Sequence, residues 1–105
     1  QIMRRLIPQD ALEEYRDASG QVMLAEMPAH PSWFGHAVVD MEIATGARVA
    51  FISRLGSGLV PHTDMVLQDG DLVHVLAATD DAPRVQAILA GSREDGLRSA
   101  REGIA

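Results

Sequence analysis

The chain has 105 residues, of which 47% are hydrophobic and 23% are charged, and its formal net charge is −6. This length predicts one domain with its own core, since a chain of this size buries roughly 65% of the surface that its unfolded form exposes. The composition is that of a globular protein. No apolar run approaches the ~20 residues of a membrane-spanning helix, which excludes direct insertion into a membrane.

The charge is unevenly distributed along the chain. Between Asp10 and Asp81 there are twelve acidic residues against three arginines. An acidic surface repels phosphate backbones, so we predict no binding to nucleic acid or to anionic membranes. A cation or a basic protein surface fits this charge better, and the alternative is that the acidity only keeps the domain in solution.

The chain contains no cysteine and does not begin with methionine. The absence of thiols excludes disulfides and thiolate zinc sites, and it favours a cytoplasmic location. No apolar segment of the kind found in a signal peptide follows the first residues. We therefore expect a cytoplasmic fragment of a longer protein.

The first twenty residues predict a helical leader. Residues 1–6 have the pattern of the end of a helix. Asp10, with Glu13 three residues later, is close to a capping box and predicts a second helix to about Asp17. Residues 1–20 are therefore interpreted as a leader that precedes the main domain.

The main domain is predicted over residues 21–91. Alternating apolar and polar side chains at 21–27 predict its first strand. Gly35 precedes a predicted helix, from His36 to about Ile43, with an apolar face.

Three strands and a helix complete this domain. Short apolar segments at residues 49–52, 59–60 and 72–78 predict the strands. Asp80 is a predicted N-cap for a final helix that ends at Gly91. The resulting fold class is α+β, a small β-α-β-β-β-α sandwich domain with an N-terminal helical leader and with helices over one face of the sheet.

The polar segment 92–105 is predicted to be a frayed tail.

Four histidines raise the question of a metal site: His30, His36, His62 and His74. None forms a pair at the spacing of a helical zinc motif, so no metal site is predicted. His74 lies in the middle of a predicted strand, between two valines. We expect its side chain to point outward or toward a partner chain.

No catalytic residue is predicted. Residues 56–58 form a Gly-Ser-Gly turn rather than a phosphate loop, because neither a lysine nor a helix follows. Asp40 and Glu42 lie two residues apart on a helix and point to different faces. Asp69 and Asp71 flank a glycine and predict turn chemistry, with cation binding as the alternative. The chain is therefore interpreted as a non-enzyme.

Four segments resemble one known family: Trp33 to Met41, Val49 to Arg54, Pro61, and Leu67 to Val75. In order, they supply a glycine before a short helix, an apolar strand that ends in arginine, a proline step, and a Gly-Asp pair before the last strand. Together they resemble the C-terminal TrkA-type domain, which is the second half of the RCK module that regulates potassium channels and transporters of the Trk and Ktr kind. The resemblance covers roughly residues 22–90.

This resemblance implies a non-catalytic cytoplasmic regulatory domain of a Trk/Ktr-type potassium uptake system. Such a domain forms a homodimer or a higher homo-oligomer and acts on a membrane potassium channel or transporter subunit at the inner face of the plasma membrane. In relatives, cyclic di-AMP or metal cations bind in the cleft between two protomers. The resemblance places this ligand-binding cleft at seven positions: Val38, Val39, Glu42, Ile43, Arg48, Val49 and Pro61.

Two departures separate this sequence from cyclic di-AMP binders. The segment 43–46 is about two residues shorter, and Ala44 stands where a basic residue is expected, which leaves Arg48 as the alternative cation. NAD or ATP would bind only in the nucleotide-binding half that precedes this domain in the family, so no cofactor is predicted within the chain. The alternative function is a stand-alone small-ligand or cation-binding sensor, or an assembly domain, not coupled to a channel.

Overall fold

A computed structural model describes residues 5–7 and 11–102, with six strands and three α-helices. The strands are β1 (Arg5–Ile7), β2 (Ala11–Arg16), β3 (Val22–Met27), β4 (Arg48–Arg54), β5 (Ser57–Leu59) and β6 (Leu72–Ala78). The helices are α1 (Val38–Thr45), α2 (Ala82–Ala90) and α3 (Arg93–Arg101). In the part of the chain covered by these elements, no helix has the length and apolarity needed to cross a membrane.

All six strands belong to one antiparallel sheet in the order β1-β2-β3-β6-β4-β5. Side chains alternate between its two faces. One face, which we call the inner face, is buried under the helices, and its central positions are Met23, Ala25 and Met27 of β3 and Val73, Val75 and Ala77 of β6. Residues between these positions point to the opposite, outer face. The predicted α+β class, with helices over one face of a sheet, is confirmed.

The predicted helical leader is wrong. Residues 5–7 and 11–16 are the strands β1 and β2, whereas Asp10, the predicted N-cap, lies outside the described residues. β2 pairs along β3, with Leu12 opposite Glu26 and Arg16 opposite Met23. This pairing supplies the backbone with hydrogen-bond partners, and such tertiary contacts override a local capping pattern.

The prediction of a frayed tail is also wrong, because residues 93–101 form α3. Ser92 caps the helix by accepting a hydrogen bond from the Asp95 backbone N–H. Acidic residues lie in its first turn and basic residues in its last, which favours the helix dipole at both ends. Residues 103–105 lie beyond the part of the chain that can be described.

The central elements follow the predicted order, with small shifts of their ends. α1 begins at Val38, two residues later than predicted, because Gly35 has φ of +84° and turns the chain before the helix. It ends at Gly46, which adopts the left-handed conformation with φ of +75°. α2 follows a short 3₁₀ turn at Thr79–Asp81, and Gly91 follows its end.

An irregular connection, residues 60–71, joins β5 to β6 and is fastened to the chain before α1. Gly35 donates its backbone N–H to the Leu67 carbonyl (2.7 Å), and Leu67 donates to the His36 carbonyl (2.9 Å). Val38 donates to the Met65 carbonyl (2.9 Å). The start of α1 is therefore held against this connection, and both border the candidate site.

We predict that Gly96→Val separates α3 from its neighbours. A Cβ at Gly96 would lie 3.1 Å from the Ile88 side chain and 3.4 Å from those of Ala44 and Trp33. Further methyl groups do not fit there, and overpacking of this kind costs about 1–3 kcal/mol of unfolding free energy, measurable by urea denaturation. Valine has a better helix propensity than glycine. A loss of unfolding free energy in this variant can therefore come only from packing.

The matched control is Gly58→Val, since a Cβ at Gly58 meets no atom within 4 Å. Equal stability of the two variants would contradict this account of how α3 is docked.

Candidate functional site

A cavity of about 240 Å³ lies between α1, β4 and the connection that follows β5. We call it the α1 pocket. It is lined by Val38, Val39, Glu42, Arg48, Val49, Ala50, Val60, Pro61, His62 and Thr63. Three separate segments of the chain thus contribute to one concave surface, which is the usual form of a small-ligand site.

Six of the seven cleft residues implied by the family resemblance line the α1 pocket, and the exception is Ile43. Val38 and Glu42 are one helical turn apart and share the face of α1 that borders the pocket. Ile43 is rotated away from that face and lines a separate cavity near Arg84. That the six gathered residues bind a ligand stays a prediction.

Sequence reasoning missed four residues of the lining: Ala50, Val60, His62 and Thr63. Val60 and His62 are the immediate neighbours of Pro61, and Thr63 is the next residue after them, so closeness to a predicted cleft residue was the available signal. Ala50 lies at an irregularity in the pairing of β4 with β6, between Val49 and Phe51. Nothing in the sequence pattern indicates such a bulge.

The α1 pocket contains a fixed carboxylate and a free guanidinium. Glu42 accepts a hydrogen bond at Oε2 from the Val49 backbone N–H (2.9 Å), which ties α1 to β4. Arg48 is exposed, and no ion pair or hydrogen bond of its side chain occurs within residues 11–102. Five of the other six arginines within residues 11–102 pair with carboxylates: Arg16, Arg54, Arg84, Arg93 and Arg98. Arg48 is therefore available to an anionic group.

His74 lies in the middle of β6, as predicted, but it is buried. Its side chain points to the outer face but is only 4% exposed, because neighbours on that face cover the ring. Phe51 stacks on it with ring centroids 3.9 Å apart. Ser53 Oγ lies 2.9 Å from its Nε2, and Glu14 Oε1 lies 2.6 Å from its Nδ1. The outward direction expected for the side chain is therefore found, but the ring is covered rather than exposed, and it links β2, β4 and β6.

Asp71 confirms the predicted turn chemistry and adds an ion pair. Its carboxylate accepts a hydrogen bond from the Gln68 backbone N–H (2.8 Å) around Gly70, whose φ is +92°. It also accepts two hydrogen bonds from Arg54, at 2.9 and 2.8 Å. The same guanidinium donates to the Val66 carbonyl (3.1 Å), so the pair anchors the second half of the connection 60–71.

The fold is that of an RCK domain. The crystal structure of the GsuK RCK domain superimposes with a TM-score of 0.60, covering 97% of this chain and 23% of that chain at 17% sequence identity. This likeness is one of architecture alone, given the low identity.

The family follows from the sequence. The model of the TrkA-C domain matches residues 22–90. Over 97 residues the chain is 45% identical to the Trk system potassium uptake protein TrkA of Streptomyces coelicolor, which covers 91% of this chain and 44% of that protein. The chain therefore belongs to the TrkA-C domain family, and the resemblance seen in the sequence is confirmed. The chain spans less than half the length of this curated relative.

We predict that protonation of Asp71 destabilises the fold at low pH. Hydrogen bonds from the Arg54 guanidinium hold the pKa of this carboxyl below its ordinary value. Its contribution to stability is therefore complete above the unfolded-state pKa of about 3.9 and is lost as the pH falls through the lowered folded-state pKa. Urea denaturation between neutral and acidic pH measures this loss. Asp71→Asn is expected to lower the unfolding free energy at neutral pH by about 1–3 kcal/mol. Its unfolding free energy should also depend less on pH in the acidic range.

Asp95→Asn is the control, because its partner Arg98 and its own side chain are both more than half exposed. If both variants had the same small effect, the Arg54–Asp71 pair would not be an anchor of the connection.

Proposed function

We propose that the chain is a non-catalytic regulatory domain of a Trk-type potassium uptake system, which acts as a dimer and binds a small ligand in the α1 pocket. Membership of the TrkA-C domain family and the identity to a Trk potassium uptake protein support the first part. One observation carries the second part: Arg48, which has no side-chain partner within residues 11–102, brings a positive charge to a concave pocket of mixed polar and apolar lining.

The dimer uses an apolar strip beside this pocket. Val39 and Ile43 lie one turn apart on α1 and are 38% and 59% exposed, and Val60 is 81% exposed. We call these three residues the α1 strip. A two-fold interface repeats the same patch on both subunits, so a self-complementary apolar strip suits it. A second copy seated there would also close the pocket, since Val39 and Val60 belong to both surfaces.

The ligand that fits this pocket carries an anionic group for Arg48 and a donor for Glu42. A charge-assisted hydrogen bond to a guanidinium contributes about 1.5–3 kcal/mol. Cyclic di-AMP has both kinds of group, in its phosphates and its base amines, whereas a divalent cation would engage Glu42 and be repelled by Arg48. A small phosphate-containing ligand is therefore the first choice.

Regulation then follows from differential binding. A ligand shared between two protomers favours the dimer geometry in which both pockets contact it, and it shifts the equilibrium only by its preference for that geometry. The change of geometry is passed to a membrane potassium channel or transporter subunit, so the domain works at the cytoplasmic face of the plasma membrane through that partner.

We predict that Ile43→Asp dissociates the dimer and impairs regulated potassium uptake. A carboxylate at the interface would be desolvated without a partner, which disfavours association. Light scattering at micromolar concentration measures the mass, and rubidium uptake by host cells at low external potassium measures the function. The wild-type protein is expected to be dimeric.

Leu55→Asp is the matched control, because Leu55 is 99% exposed in the β4–β5 turn, away from the α1 strip. A wild-type monomer would rule out the dimer. A dimer broken by Ile43→Asp with unchanged uptake would instead favour a sensor or assembly domain not coupled to a channel.

We predict that Arg48→Ala weakens ligand binding by at least about tenfold. The loss of a charge-assisted contact of about 1.5–3 kcal/mol corresponds to roughly ten- to 150-fold in affinity. A thermal-shift screen with cyclic di-AMP, nucleotides and divalent cations identifies the ligand, since saturation at 100 times Kd adds about 2.7 kcal/mol to stability.

Arg101→Ala removes an exposed arginine at the end of α3 and serves as the control. Binding that is equally strong in both variants would place the ligand outside the α1 pocket.

A further inference from the structure

We propose that Glu14, Glu26 and His74 form a site for a divalent transition-metal ion on the outer face of the sheet. The site is independent of the proposed function, because none of its residues lines the α1 pocket. Each residue offers one ligand atom, and these atoms all lie within 4.8 Å of one another. The arrangement is not a surface cluster of acids, since the imidazole is buried at 4% exposure and both glutamates are half-buried.

The three ligands come from three neighbouring strands. Glu26 of β3 lies directly opposite His74 of β6 in the antiparallel register. Glu14 comes from β2 and reaches the same place because the pairing of β2 with β3 shifts between Glu13 and Tyr15, which leaves Glu14 as the extra residue. A β-bulge re-aims a side chain in this way and is over-represented beside functional sites.

Closing the three atoms around an ion needs only side-chain movement. Donors at about 2.0–2.2 Å from a tetrahedral ion lie roughly 3.4 Å apart. The Nδ1 of His74 and Oε1 of Glu14, now 2.6 Å apart, would separate by a little under an ångström, and the other two pairs, within 4.8 Å, need a change of at most about the same order. The strands themselves can stay in place.

Ser53 orients His74 for this role. The Ser53 hydroxyl lies 2.9 Å from Nε2, on the side of the ring opposite Glu14. When Nε2–H donates to Ser53, Nδ1 presents its lone pair to the carboxylates. A hydrogen bond at the second ring nitrogen is what fixes the tautomer of metal-bound histidines in general. A metal ion would thus take the place of the present contact between Nδ1 and Glu14.

The ligand chemistry selects the class of ion. Two carboxylates favour a cation over an anion or a neutral ligand. One nitrogen and two oxygen donors suit Zn²⁺ or Mn²⁺, whereas Ca²⁺ takes 6–8 oxygen ligands. Three protein ligands leave a coordination position open for water or a small anion.

The test is a titration of the metal-stripped, untagged protein with ZnCl₂, followed by calorimetry and thermal unfolding. One ion per chain is expected, with Tm raised by about 10 °C at 100 times Kd. Glu14→Gln and Glu26→Gln are expected to weaken binding at least tenfold. Glu13→Gln is the matched control, since Glu13 lies on the same strand but pairs with Arg16. It should bind as the wild type does.

Nitrogen NMR of the wild-type protein gives a second readout that needs no variant to fold. Coordination is expected at Nδ1 of His74, with the proton retained at Nε2 beside Ser53. The proposal is overturned if Zn²⁺ and Mn²⁺ leave Tm and the His74 resonances unchanged. It is also overturned if the shifts occur at the exposed His30, His36 or His62 and all three glutamine variants bind equally.

Discussion

The pairing of residues 35–38 with residues 65–67 is the constraint on which the arrangement of this domain depends. Twelve residues without regular structure, 60–71, would otherwise leave backbone groups unpaired beside the core. Hydrogen bonds from Gly35, Leu67 and Val38 satisfy these groups, and they allow Met65 and Leu67 to be buried. The same bonds fix where α1 begins. Two walls of the α1 pocket, α1 and the connection, are therefore positioned by a short stretch of backbone, and Glu42 ties α1 to the third wall, β4.

Strand β4 is common to the two candidate sites. At its beginning, Arg48 and Val49 border the α1 pocket, and further along Phe51 and Ser53 contact His74 on the outer face. The bulge at Ala50 separates these two parts of the strand. An extra residue at this point shifts the alternation of side chains, so that Val49 and Ile52 both face the core while Phe51 stacks on the histidine.

The sequence could predict the central elements but not their surroundings. Apolar alternation and glycine signals placed β3, α1, β4, β6 and α2 within a few residues, because local pattern and burial agree there. It failed at β2, where a capping pattern around Glu13 competes with strand pairing, and at α3, whose polar sequence is held by contacts of Gly96. The family resemblance correctly indicated six residues that line the α1 pocket. The Glu14–Glu26–His74 cluster was invisible, since it arises from register and a bulge.

Among residues 5–7 and 11–102, the two outermost strands, β1 and β5, comprise three residues each. A short edge strand offers few unpaired backbone donors and acceptors, so a strand of another molecule can form few hydrogen bonds with it. Growth of this sheet into a continuous β-layer across molecules is thereby disfavoured. The dimer proposed above would use a helix surface instead, where side chains make the contact and its geometry can change without breaking a hydrogen-bonded ladder.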